Sequence, residues 1–211
     1  MVARQLPKLK TRVRFPSPAP RLNMTEKYNF LISDTFDWYL SKILPVVERN
    51  SVQPKYGYHG LYTHTNAVVF RGIDYALSLN KNPKPVALAC AFHDMARVND
   101  GPDFQHAENA IPIIEKIVKK DIILPDQYKK SIIYAVKNHS LTIPAPDYIS
   151  ACLWDADRTR ISWECGFEEV FYTTERAKKV ASNNVDEYLN FMRNCMSKYA
   201  HTIMPTLNKL Y

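Results

Sequence analysis

The chain has 211 residues, 46% of them hydrophobic and 12% aromatic, enough for one domain with a substantial core, while five glycines are too few for a Gly-rich nucleotide loop or a turn-dense all-β fold. The formal net charge is +7, but Arg4, Lys8, Lys10, Arg12, Arg14 and Arg21 all precede residue 24, which leaves 22 bases against 21 acids in the body and no basic face for nucleic acid. No apolar run reaches the roughly 18 residues of a membrane span, and Cys90, Cys152, Cys165 and Cys195 form no C-x-x-C pair, so they read as reduced, mostly buried thiols of a cytoplasmic protein.

Residues 1–23 are basic, punctuated by proline and without periodicity or a secretory apolar stretch, and are expected to be disordered. They look like translated upstream non-coding DNA with Met24 as the true start; a basic targeting arm is the alternative. Residues 24–211 are expected to form a single all-α domain. Phe36, Leu40, Ile43, Leu44 and Val47 recur at helical spacing and predict a first helix from Asp34 to about Glu48, with Ser33 or Asp34 as N-cap. A loop with Pro54 and Gly57 carries Tyr56, Tyr58 and His59. The second helix is predicted from Tyr62 to Leu79, with His64 in its first turn.

Pro83 and Pro85 open a third helix. Its run Val86-Ala87-Leu88-Ala89-Cys90-Ala91-Phe92 has no polar group and delivers His93-Asp94 into a low-dielectric interior. After Arg97, the residues Val98 to Asp103 have strong turn chemistry, with Asn99, Asp100 and Asp103 as turn formers or, alternatively, as outer supports of site residues. A fourth helix is predicted from His106 to Lys119, and a fifth from Pro125 leading to His139. Pro144 and Pro146 break the chain, and Asp147 caps a sixth helix that ends at Asp157 and Arg158. Further helices are expected over roughly 166–181, 184–198 and 200–210. Trp154, Trp163, Tyr56 and Tyr58 read as packing residues, and His201 as a bystander.

His64, His93, Asp94, His106, His139 and Asp157 can all ligate a metal, and most fall where a helix meets a loop. Imidazole nitrogen with carboxylate oxygen suits Mn, Fe, Ni, Co or Zn better than Mg. Helical phase leaves Asp155 and Asp157 on opposite margins of the apolar stripe of their helix and does not choose between them.

The order His64, His93-Asp94, Asp157 resembles the H…HD…D pattern of the HD-domain superfamily of metal-dependent phosphohydrolases, over about residues 60–160. His106 and His139 resemble the added ligands of its five-histidine, dinuclear branches. The phrase His93-Asp94-x-x-Arg97-x-Asn99-Asp100-Gly101 is similar to one subgroup of small HD proteins. The resemblance implies an HD-type helical bundle with one or two divalent ions between its helices. His64, His93, Asp94 and Asp157 would hold the first ion, and Asp94 would bridge to a second on His106 and His139. It favours Asp157 over Asp155, because the family's final ligand commonly precedes a basic residue, here Arg158.

The activity implied is attack by a metal-bound hydroxide on a nucleotide or small phosphorylated metabolite, as phosphomonoesterase or phosphodiesterase. Arg97 and Arg158 are the expected phosphate clamps and Lys137 a further substrate contact. His59 resembles the histidine that protonates the leaving group in related phosphodiesterases, although it stands five residues before His64 where the family spacing is usually four. An HD-fold mixed-valent di-iron oxygenase and a non-catalytic HD-fold regulatory module are the alternatives.

Overall fold

The first helix starts at Met24, ten residues before the predicted Asp34, with Asn23 as its N-cap. Its side chain accepts from the Glu26 amide at 2.9 Å while the Glu26 carboxylate accepts from the Asn23 amide at 2.8 Å, a reciprocal capping box. The apolar pattern missed it because Met24, Phe30 and Leu31 are exposed, so the first turns have little buried stripe to read. The computed structural model describes residues 23–203. The predicted disorder of residues 1–22, and residues 204–210 of the last predicted helix, lie outside them.

Helix α1 (Met24–Trp38) passes through a π turn (Tyr39–Ile43) into α2 (Leu44–Asn50). The π turn stands just ahead of Pro45, which has no N–H to continue the α ladder. A second π turn (Leu61–Thr65) carries His64 and leads into α3 (Asn66–Ser78). Then follow α4 (Pro83–Phe92), α5 (His106–Lys120), α6 (Asp126–Lys137) and α7 (Tyr148–Cys165). Asp147 caps α7 as predicted, accepting from the Ser150 amide at 2.8 Å. A short 3-10 turn (Glu169–Phe171) precedes α8 (Glu175–Ser182), α9 (Val185–Cys195) and α10 (Lys198–Ile203). There is no strand among the described residues, and no helix there is long and apolar enough to cross a membrane.

Two boundaries differ from the sequence reading. Helix α7 runs seven residues past Arg158 to Cys165, and residues 166–174 form a strap, broken by the short 3-10 turn, where an α-helix was predicted. Asp155 explains the strap: its buried carboxylate accepts from the amides of Thr173 (3.0 Å) and Thr174 (2.7 Å), tying the returning chain to α7. Such long-range polar ties leave no periodic trace in sequence.

At the centre, α3 packs on α4 and α7, and α4 also packs on α6 and α7. Helix α1 covers α3, α5 lies on α6, and α8 lies on α7. Helix α3 is buried from Asn66 to Ala76 and α4 from Pro85 to Phe92, so both are core on every side. Gly72 lets them approach: a Cβ there would lie 2.5 Å from the Cys90 sulfur. That close approach brings the turn before α3 and the turn after α4 to the same depth.

Candidate metal centre

His93 and Asp94 follow the last residue of α4, as the apolar run implied, and both are essentially inaccessible. Around them the fold gathers His64 from the turn before α3, His106 from the first turn of α5, His139 from just beyond α6, and Asp157 from the middle of α7. All six predicted ligand positions therefore converge.

The carboxylate of Asp94 divides the set. Its Oδ2 lies 3.7 Å from His64 Nε2 and 3.4 Å from His93 Nε2, while its Oδ1 lies 3.3 Å from His106 Nε2 and 3.8 Å from His139 Nε2. Asp157 Oδ1 joins the first pair, 3.0 Å from His64 and 3.6 Å from His93. Two groups result, His64–His93–Asp94 and Asp94–His106–His139, each with its donor atoms within 4.8 Å of one another. Asp155, two residues earlier on α7, turns to the strap. The pair that helical phase left open is thus separated by what each carboxylate faces.

The donor chemistry fits a cation. Backbone carbonyls can only accept, so the bonds from Nδ1 of His93 to Cys90 O (2.7 Å), of His139 to Val136 O (2.7 Å) and of His106 to Asp103 O place a hydrogen on each Nδ1. Each Nε2 is then the atom left to bind, which is the usual outer support of metal-ligating histidine. Yet Nε2 atoms face one another at 3.2 Å between His64 and His93, and at 3.0 Å between His106 and His139. Opposed lone pairs repel unless a proton or a cation stands between them. His64 Nδ1 is also buried without a hydrogen-bond partner.

The titration behaviour has the same cause. Burial opposes a charge on His93, but Asp94, by charge and hydrogen bond, together with Asp157, pushes it up to about 9. Burial and the positive His93 push His139 down to about 4. Although burial works the other way, His93 and His64 hold both Asp94 and Asp157 below the ordinary carboxylate range. The His93 proton is thus set between the carboxylates that favour it and the burial that opposes it.

A cavity of about 450 Å³ opens from this centre, with His59, His64, Asp94, Arg97, His139, Asp157 and Arg158 on its wall. Arg97 donates from Nε to Asp94 Oδ1 (3.3 Å) and from Nη1 to Gly101 O (3.1 Å). Arg158 is engaged otherwise than expected of a clamp: its terminal nitrogens donate to Phe171 O (3.3 Å) and Leu141 O (2.6 Å), bridging two loops at the rim. Lys137 does not reach the cavity and pairs with Glu108 at 3.2 Å on the exposed side of α6. The sequence reading missed Arg160, and it took Tyr58 for packing, though both line the cavity. Asp157, Arg160, Ile161 and Glu164 share one helical face, a signal lost by ending the helix at Arg158.

A solved structure, that of a predicted HD superfamily hydrolase from an uncultured Thermotogales bacterium, aligns with a TM-score of 0.52 at 20% identity, covering 74% of this chain and 90% of that one. This chain has the HD fold. No family model matches it, and no curated protein matches it significantly. The likeness to the HD structure is therefore carried by backbone geometry, and the buried His/Asp cluster is compatible with a metal site within that fold.

Proposed function

We propose that this protein is a metal-dependent phosphohydrolase, a phosphomonoesterase or phosphodiesterase acting on a nucleotide or small phosphorylated metabolite. The observation that carries the reading is Asp94, whose two oxygens each face a separate histidine pair at 3.3–3.8 Å. His64, His93, Asp94 and Asp157 would hold one divalent ion of the Mn, Fe, Ni, Co or Zn type, and Asp94, His106 and His139 a second. When bound, such ions lower the pKa of water and polarise phosphoryl oxygens.

The remaining roles belong to the chain. Arg97, beside Asp94 on the cavity wall, has guanidinium N–H groups left to meet phosphate oxygens. His59 lies on the same wall, where burial and the nearby Arg97 hold it below the ordinary imidazole value. The negative charge of a bound phosphate offsets the Arg97 cation and favours the protonated imidazole, so substrate prepares His59 to give its proton to the leaving oxygen. Arg158 and Arg160 add positive charge around the opening and favour an anionic substrate over a neutral one.

The test is a screen of phosphorylated metabolites and nucleotides with anaerobically purified protein reconstituted with Mn, Fe, Ni, Co or Zn. Hydrolysis that His93→Ala abolishes is expected, read as phosphate released from monoesters or a monoester released from diesters. Two irons with oxygen-dependent turnover and no hydrolysis would overturn the reading in favour of an oxygenase. A cellular phenotype untouched by Asp94→Ala would point to a binding module.

A further inference from the structure

Asp100 is the residue of the Asn99-Asp100-Gly101 turn whose side chain leaves its own loop. Asn99 accepts from the Gly101 amide and Asp103 from the Val98 amide, both local turn bonds. Asp100 instead reaches across to the segment that carries His59. Its Oδ1 accepts from the His59 amide at 2.8 Å and its Oδ2 from the Tyr58 amide at 3.1 Å. The same Oδ1 is 3.5 Å from His59 Nδ1, an atom that is buried and has no hydrogen-bond partner.

The backbone is shaped to this carboxylate. Gly57 has φ +114°, and a Cβ there would lie 2.6 Å from Asp100 Oδ2. On the far side, Tyr58 is fastened to α7: its hydroxyl donates to Glu164 at 2.6 Å, and Arg160 donates to its carbonyl at 2.9 Å with the guanidinium 3.8 Å above its ring. Residues 57–59 are therefore gripped from both flanks, with the His59 ring edge-on to His64 at 5.6 Å between centroids. Asp100 itself is not on the cavity wall.

We propose that Asp100 is the positioning residue for His59, fixing the 57–59 backbone so that the imidazole meets the leaving oxygen of the substrate. The inference rests on the phosphohydrolase reading. In the step concerned, a water oxygen bonds to phosphorus and the phosphorus–ester oxygen bond breaks with its electron pair on the leaving oxygen. That oxygen takes the His59 proton, the attacking water loses a proton to solvent, and His59 is reprotonated from solvent.

Leaving groups of different basicity separate this role from structural damage. An alkoxide needs the proton, whereas p-nitrophenolate departs without one. With the metal-loaded protein, Asp100→Ala and His59→Ala are each expected to lower kcat on an alkyl phosphate by about 100-fold with little change in KM, and to leave p-nitrophenyl phosphate nearly unaffected. Asp100→Ala added to His59→Ala should cost nothing further. Gly57→Ala should reproduce the Asp100→Ala pattern, and Asp100→Asn, which keeps one acceptor for the amides, should recover part of the rate.

Equal losses on both esters, additivity in the double variant, or an unchanged alkyl-ester rate in Asp100→Ala would each overturn the role of Asp100 while leaving the hydrolase reading in place. A native protein that cleaves neither these monoesters nor the corresponding methyl diesters would overturn both.

Discussion

Asp74 and Asp94 are both buried carboxylates on central elements of one core, yet their surroundings differ in kind. Asp74, in α3, meets only donors: the Tyr28 hydroxyl at 2.6 Å, the Tyr188 hydroxyl at 3.0 Å and Arg176 Nε at 3.0 Å. Its hydrogen bonds and charge are answered within the chain, and it ties α1, α8 and α9 to α3. Asp94 meets four imidazole Nε2 atoms that face one another in pairs, with Arg97 as its one fixed cation. A buried carboxylate whose partners are all donors is a strut, whereas one set among imidazole nitrogens that face one another in pairs is placed to share a cation.

The largest effect should separate the two at once. Asp94→Ala is expected to lower turnover by about 1,000-fold or more while the far-UV circular dichroism stays native. Asp74→Ala should do the reverse. It strands Arg176 and two tyrosines, so urea unfolding should register a loss of about 3 kcal/mol with turnover per folded molecule retained. An Asp74 variant that folds normally but is inactive would break the distinction.

The pH response sharpens it. In the metal-free protein His93 is raised to about 9 from 6.5, so its stabilising contribution is complete below 6.5 and is lost as pH climbs through about 9. Asp94 and Asp157 are lowered, so theirs is complete above the ordinary value of 3.8 and is lost as pH falls below it. The thermal midpoint of chelated protein should therefore decline from pH 6.5 to 10, and metal should remove that decline by displacing the His93 proton. Calorimetry at pH 7.5 in buffers of different ionisation enthalpy should register the released proton. The smallest effect is expected at Asp155, where Asp155→Asn weakens the tie to Thr173 and Thr174 and should cost about 1–2 kcal/mol without changing metal content.

Most of the helices and the His93-Asp94 pair were legible in the sequence for a physical reason, whereas Asp157 was separated from Asp155 only by the family resemblance. A helix buried on all sides must be written as an unbroken apolar run, and polar residues at its end, such as His93-Asp94, stand out against it. What stayed illegible depends on contacts between distant segments. The Asn23 cap precedes helical turns that are mostly exposed, the strap after Cys165 is held by Asp155, and Arg158 spends its donors on the carbonyls of Leu141 and Phe171. Lys137 lay near His139 in sequence but pairs with Glu108 of α5, because α6 ends at Lys137 and the chain turns before His139. Arg160 and Tyr58 became visible only when α7 was seen to continue alongside the 54–60 loop.

Metal stoichiometry tests the bridging role of Asp94 most directly. Elemental analysis after anaerobic reconstitution and desalting is expected to give two divalent ions per native chain, one in His106→Ala and none in Asp94→Ala. A native chain that holds one ion, with the same content and affinity in His106→Ala, would contradict it.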